Sequence, residues 1–370
     1  MKYKFTKDDT FAIKGIAIIF LLCIHCIAKD RIEGLDVSYW PLSESAASWL
    51  ITVMSECVGI FEFLSVYGMT LSVKNKYPQF EYTRTEALAD ALRRYFSLVF
   101  KFLMPFIVCF TVTYGMGVHR YHEGTVRNAI NLVLDVLCVG KLFGTQMMVP
   151  TWWYMSLEVL LIVFLPLIIL FYKKYSGLSI LMVLAVGTAF SEQLTVDGMT
   201  KFMLVIPIAV WAADQNILEK IKAYHIVKNN IINKLIKIFI WIILIYTVIW
   251  LRGIYSSGSN LNFLLRGIMP VFLVCFSYEI IVDIPVIRQI LVFFGKNSAY
   301  IFYIHSFVRG IWFKNKAYSF HSGWMIVAFV FAVTLIISFV IDEMCRVTGY
   351  NKLTGNLVKK ITNKVTENFC

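Results

Sequence analysis

The sequence predicts an all-α fold, a polytopic transmembrane bundle of about ten helices with both termini in the cytoplasm. Three observations predict it. Of the 370 residues, 59% are hydrophobic and only 16% charged, with a mean hydropathy of +0.71, whereas a soluble domain is roughly half apolar and about a quarter charged. Apolar runs of membrane-crossing length recur along the chain, and they must be helices because lipid offers the backbone no hydrogen-bond partner. Lys and Arg cluster in alternate connections, the pattern that fixes orientation. The same clustering accounts for the net charge of +12 without a nucleic-acid partner, and no RNA- or DNA-binding motif accompanies it.

Each element follows from these rules. Residues 1–10 carry Lys2, Lys4 and Lys7 and start inside. The first span, 11–28, has no small-residue cleavage site after it and is expected to be a retained helix. An acidic connection, 29–45, lies outside; span two, 46–73, returns to a basic connection, 74–94. Span three covers 95–118. The apolar stretch 129–143 is too short to cross and reads as a re-entrant or interfacial helix on the outer side. Spans four, five and six cover 152–172, 177–190 and 199–213, the last two marginal in length. The Lys-rich segment 214–237 is cytoplasmic. Spans seven to ten follow at 238–251, 261–282, 290–313 and 324–341. The whole chain, 1–370, therefore reads as a single membrane domain with a core at 11–341 and a basic cytoplasmic tail at 342–370.

The eight cysteines, five of them (Cys23, Cys57, Cys109, Cys138 and Cys275) within apolar runs, read as small apolar residues rather than a disulfide framework. His119 and His122 stand too isolated for a metal site, and no metal is expected.

Ionisable groups inside spans are costly and mark candidate function. Lys14 and His25 lie eleven positions apart on the first span, about 16 Å along a helix. Counted from the outer helix ends, His25, Glu158 and His305 fall at similar levels in the outer half of the membrane, and Glu56 lies near mid-depth. A buried carboxylate needs a donor. An imidazole beside one is a general base, since the acid fixes its tautomer and steadies the imidazolium. A hydrogen bond that only ties two helices is the structural alternative. At the opposite face Lys14, Arg93 and Arg94 stand where helices leave the cytoplasm and can hold phosphates, those of a ligand or of membrane lipids. Two other classes share these features: a transporter or flippase of glycan or lipid intermediates with a proton relay, and a non-catalytic partner of a glycan-assembly complex.

Three separated patterns resemble the acyltransferase-3 family of integral membrane O-acyltransferases: Lys14-Gly15-Ile16-Ala17 with His25; Trp153-Tyr154-Met155-Ser156-Leu157-Glu158 with Pro166; and Gly295-Lys296-Asn297-Ser298 with Tyr303-Ile304-His305. The resemblance implies ten helices. It also implies transfer of an acetyl or other short acyl group from cytoplasmic acyl-CoA to a hydroxyl of a surface glycan or lipid-linked saccharide, in a bacterial plasma membrane. By position, His25 resembles the essential histidine, which deprotonates the acceptor or carries the acyl group, Glu158 the acid that orients it, and Lys14 the first-helix cation. Arg93 and Arg94 join Lys14 as candidates for the donor's phosphates. Trp153 and Ser156, with His305 and Glu56, are the substrate-binding candidates. The chain departs from the pattern in having Lys14 in place of Arg, Ser97 in place of a second Arg after Arg94, and Ile162 in place of an aromatic residue. With no esterase-like domain after the last span, it resembles the stand-alone members.

Overall fold

The computed structural model describes residues 4–196, 198–255 and 259–369. In chain order the helices are α1 (Lys7–Ile27), α2 (Lys29–Ile32), α3 (Glu44–Met54), α4 (Cys57–Lys76), α5 (Arg84–Gly115), α6 (Thr125–Val136), α7 (Trp153–Tyr175), α8 (Leu178–Ala189) and α9 (Ser191–Val196). They continue as α10 (Val205–Gln215), α11 (Ile217–Ala223), α12 (Asn230–Ile254), α13 (Asn260–Phe276), α14 (Pro285–Phe307), α15 (Lys314–Tyr318), α16 (Gly323–Val347) and α17 (Tyr350–Phe369). Among the described residues there is no strand, only an isolated bridge between Ser38 and Ser322.

Among the described residues, seven helical stretches are long and apolar enough to cross a membrane: α1, α3–α4 together, α5, α7, α12, α13 with its π-helical extension, and α16. Two of the other expected crossings fall on the short apolar helices α8 and α10. The third falls on α14, 23 residues long but less apolar. Only 22% of the most apolar window of α12 and 28% of that of α16 is buried. Apolar surface left bare to that extent is stable facing lipid, not water. The expected tail is not an open chain. Residues 342–347 complete α16, and α17 packs along α5, with Tyr350 Oη donating to Phe100 O at 2.7 Å.

The chain divides into two compact units. The first holds residues 1–24, 45–80 and 167–298; the second holds 25–44, 81–166 and 299–370. In the first unit α4 packs on α10 and α13, and α13 on α8 and α12, around Phe63, Tyr67, Phe202 and Phe263. Its buried charges are matched: Lys237 Nζ meets Glu279 Oε1 at 2.5 Å while Trp241 Nε1 donates to the other oxygen at 2.6 Å. Also in this unit, α1 and α14 touch backbone to backbone. A Cβ on Gly15 would lie 2.2 Å from Leu291 O, and one on Gly295 would lie 1.8 Å from Phe11 O. In the second unit an aromatic cluster of Phe102, Phe106, Trp152, Tyr303 and Phe307 fills the core.

The expected interfacial segment is α6, twelve residues long. Val126, Ile130 and Val133 form an exposed apolar stripe, while Asn131 and Asp135 on the other face are buried. This inversion suits a helix lying at a membrane surface. Asp135 anchors the next loop, accepting from Tyr121 Oη and from Met148 N, each at 2.7 Å. Burial pushes its carboxyl up to about 6, against the downward pull of those two hydrogen bonds. A carboxyl raised by folding contributes stability that is full below its unfolded pKa and lost as pH rises through the folded one, here an interval of about 3 kcal/mol. The Tm difference between wild type and Asp135→Asn should therefore grow as pH falls from 7.5 to 4.5, as differential scanning fluorimetry would show. A difference independent of pH would contradict this account of Asp135.

Candidate active site

The last turn of α1 carries His25 into the second unit. Helix C-termini leave carbonyls without intrahelical partners, and here tyrosines supply the donors. Tyr318 Oη donates to Cys26 O at 3.1 Å and Tyr39 Oη to Ile27 O at 2.7 Å. The loop bearing Tyr39 is itself tied down: Ser38 N donates to His321 O at 2.8 Å, and Gly323 N to Ser38 O at 2.9 Å. The half-buried His25 ring is thus held on a fixed turn. It meets the ring of His305 edge to face, with centroids 5.0 Å apart and planes at 82°.

His305 is fully buried on α14. Its Nδ1 lies 2.8 Å from Phe302 O and 3.2 Å from Ile301 O. Carbonyls only accept, so Nδ1 carries the hydrogen and Nε2 of the neutral ring is the acceptor. Ser306 Oγ lies 3.2 Å from that Nε2, and Thr151 Oγ1 lies 2.9 Å from Ser306 Oγ. Both nitrogens of His305 are therefore engaged by protein groups, leaving His25 as the accessible imidazole of the pair.

Glu158 lies in the second turn of α7, half-buried, and accepts from Tyr154 Oη at 2.5 Å. The i, i+4 spacing places both on one face of the helix, and the Tyr154 ring in turn packs against Phe302 at 5.6 Å. Ser156 is tied to the loop before α7: its hydroxyl donates to Cys138 O at 3.1 Å and accepts from Lys141 N at 3.3 Å. Trp153 is half-buried beside Tyr154, whereas its neighbour Trp152 is core, its Nε1 donating to Tyr303 O at 3.1 Å.

Arg93 and Arg94 stand on α5 before its apolar stretch, and both pair with the buried Asp90, Arg94 Nε at 2.7 Å. One carboxylate between two guanidinium groups leaves a net positive charge. Lys14 is half-buried on α1 in the first unit. Glu56 also belongs to the first unit. It is fully buried at the break between α3 and α4, ion-paired with Arg252, with the charges of Lys201 and Arg266 also acting on it. The structure thus brings His25 and His305 together, and gives Glu158, Ser156, Arg93, Arg94 and Glu56 partners that sequence reading did not name.

It also adds Arg309, whose charge acts on both imidazoles. The sequence held a signal for it, since Arg309 follows His305 by four positions, the spacing of one helix face. The π-helical turn Val308–Trp312 carries it, a local form often found at functional sites. Cys23 and Cys26 bracket His25 in a Cys-x-x-Cys spacing, both thiols buried, which a reading of cysteines as small apolar residues passes over. Among the described residues no cluster of three or more His, Cys, Asp or Glu could hold a metal ion.

A family model described as an acyltransferase domain matches residues 12–343. Comparison with curated proteins and with solved structures gave no match.

Proposed function

Because the chain belongs to the acyltransferase-3 family of membrane acyltransferases, we propose that it moves an acetyl or other short acyl group from cytoplasmic acyl-CoA to a hydroxyl of a cell-surface glycan or lipid-linked saccharide, at a bacterial plasma membrane. One observation carries the choice of site: a half-buried imidazole, His25, on a capped helix end and packed edge to face against a buried histidine of fixed tautomer. In this reading a ring nitrogen of His25 takes the acceptor's hydroxyl proton as that oxygen attacks the thioester carbonyl. The new C–O bond forms as the C–S bond breaks, and the imidazolium returns its proton to the departing CoA thiolate. His305 positions His25, and Glu158, holding the Tyr154 hydroxyl, orients the acceptor. Trp153 flanks it. The cations proposed for the donor's phosphates are Lys14 in the first unit and Arg93 with Arg94 in the second.

Purified protein in nanodiscs, given radiolabelled acetyl-CoA and a membrane extract as acceptor, should transfer label to a saccharide. Mass spectrometry of surface glycans with and without the gene then names the acyl group and the acceptor. Absence of label in any saccharide, with intact glycan masses in the deletion strain, would refute the reading. In the same assay Arg94→Gln should raise the KM for acyl-CoA about tenfold at unchanged kcat, the signature of lost uniform binding. An unchanged KM removes Arg94 from the donor site.

A further inference from the structure

A cavity of about 300 Å³ opens in the second unit, lined by Asp30, Arg31 and Glu33 from the segment after α1, Arg309 from the π-turn after α14, and Lys314 and Tyr318 of α15. Three cations there face two carboxylates. Arg31 Nε is within 3.1 Å of Asp30 Oδ2. Arg309, by contrast, takes part in none of the ion pairs among the described residues, and its Nε is buried without a hydrogen-bond partner. No carboxylate among the described residues therefore neutralises the guanidinium of Arg309, which borders the cavity. Tyr318, which caps α1 one residue beyond His25, also interacts with Arg309. The same guanidinium therefore borders the cavity and acts on the histidine pair.

Resting on the acyl-transfer reading, we infer that this cavity is a subsite for an oxyanion of the acceptor, making the acceptor an anionic saccharide that carries a carboxylate or phosphate. The charged group lies on Arg309, which offers two parallel N–H donors to either oxyanion, with Arg31 and Lys314 adding positive charge around it. The sugar then presents a hydroxyl toward His25. The volume is at the small end of ligand pockets, matching one charged sugar unit rather than an extended chain.

The test is binding, read without turnover, so its failure is distinct from a failure of acyl transfer. Isothermal titration of the protein in zwitterionic nanodiscs would compare glucuronate, glucose 1-phosphate, inorganic phosphate and glucose. At least one charged sugar should bind about tenfold tighter than glucose. Preference for glucuronate assigns a carboxylate, and preference for glucose 1-phosphate a phosphate. Inorganic phosphate should compete with the charged sugar. Arg309→Gln should erase the preference and Arg309→Lys retain part of it, while His25→Ala keeps it. Equal binding of charged and neutral sugars by wild type, or an unchanged preference in Arg309→Gln, overturns the subsite. Should Arg309→Gln fail to fold, Lys314→Gln at its exposed position carries the test, with an expected loss of about threefold; an unaltered affinity there overturns it equally.

Discussion

His25→Ala should lower acyl transfer by about a thousandfold or more, within the range that a positioned general base supplies. The protein should still elute as a single species. The ring is half-buried, so its removal leaves the carbonyl caps from Tyr318 and Tyr39 intact and costs no more than about 1–2 kcal/mol. Activity and size-exclusion profile must be measured on the same preparation, because only lost turnover in folded protein separates chemistry from stability. Transfer within a few-fold of wild type would leave His25 a packing residue. The chain's enzymatic centre would then have to be sought elsewhere, since His305 is fully buried with both nitrogens engaged.

Gly295→Ala should be the most damaging conservative change in the first unit. Its new Cβ would stand 1.8 Å from a backbone oxygen, that of Phe11, and Gly15→Ala places one 2.2 Å from Leu291 O. A side chain in the way can turn aside, but a helix backbone cannot. The helices must separate, at a cost of about 3 kcal/mol or more, along with any alignment that depends on their crossing. Gly68→Ala is the internal control: it lies within α4 with nothing within 4 Å of its Cβ position. It should stabilise slightly, since alanine is the better helix former by about 1 kcal/mol. Scanning fluorimetry should show Gly295→Ala losing its folded transition or melting many degrees lower, while Gly68→Ala holds or rises. Equal melting of Gly295→Ala and wild type would mean that α1 and α14 do not touch through their backbones.

Both results concern the same two helices, which the sequence describes only as local elements. Gly15 and Gly295 were visible as parts of motifs, but nothing in either motif says that each glycine faces the backbone beside the other. The sequence offers Arg93 and Arg94 as candidate phosphate ligands, while Asp90, three and four positions earlier on the same helix, shares their charge. That sharing was legible from spacing alone. The partner of Glu56 was not, because Arg252 lies 196 positions away.

The amino-acid sequence by itself determined the material of this protein: membrane-length apolar helices, a short amphipathic segment at α6, basic connections, and the helices that carry the motifs. Hydropathy, charge and length are properties of a run of residues, so each can be read without knowing its neighbours. Only the tertiary structure decided which groups meet: His25 with His305, Tyr318 with the end of α1, and Arg309 with an otherwise unused cavity. Such meetings depend on how far each helix is rotated about its axis and where it crosses the next. A rotation of one residue, about 100°, turns a side chain from its partner to the lipid while leaving composition unchanged.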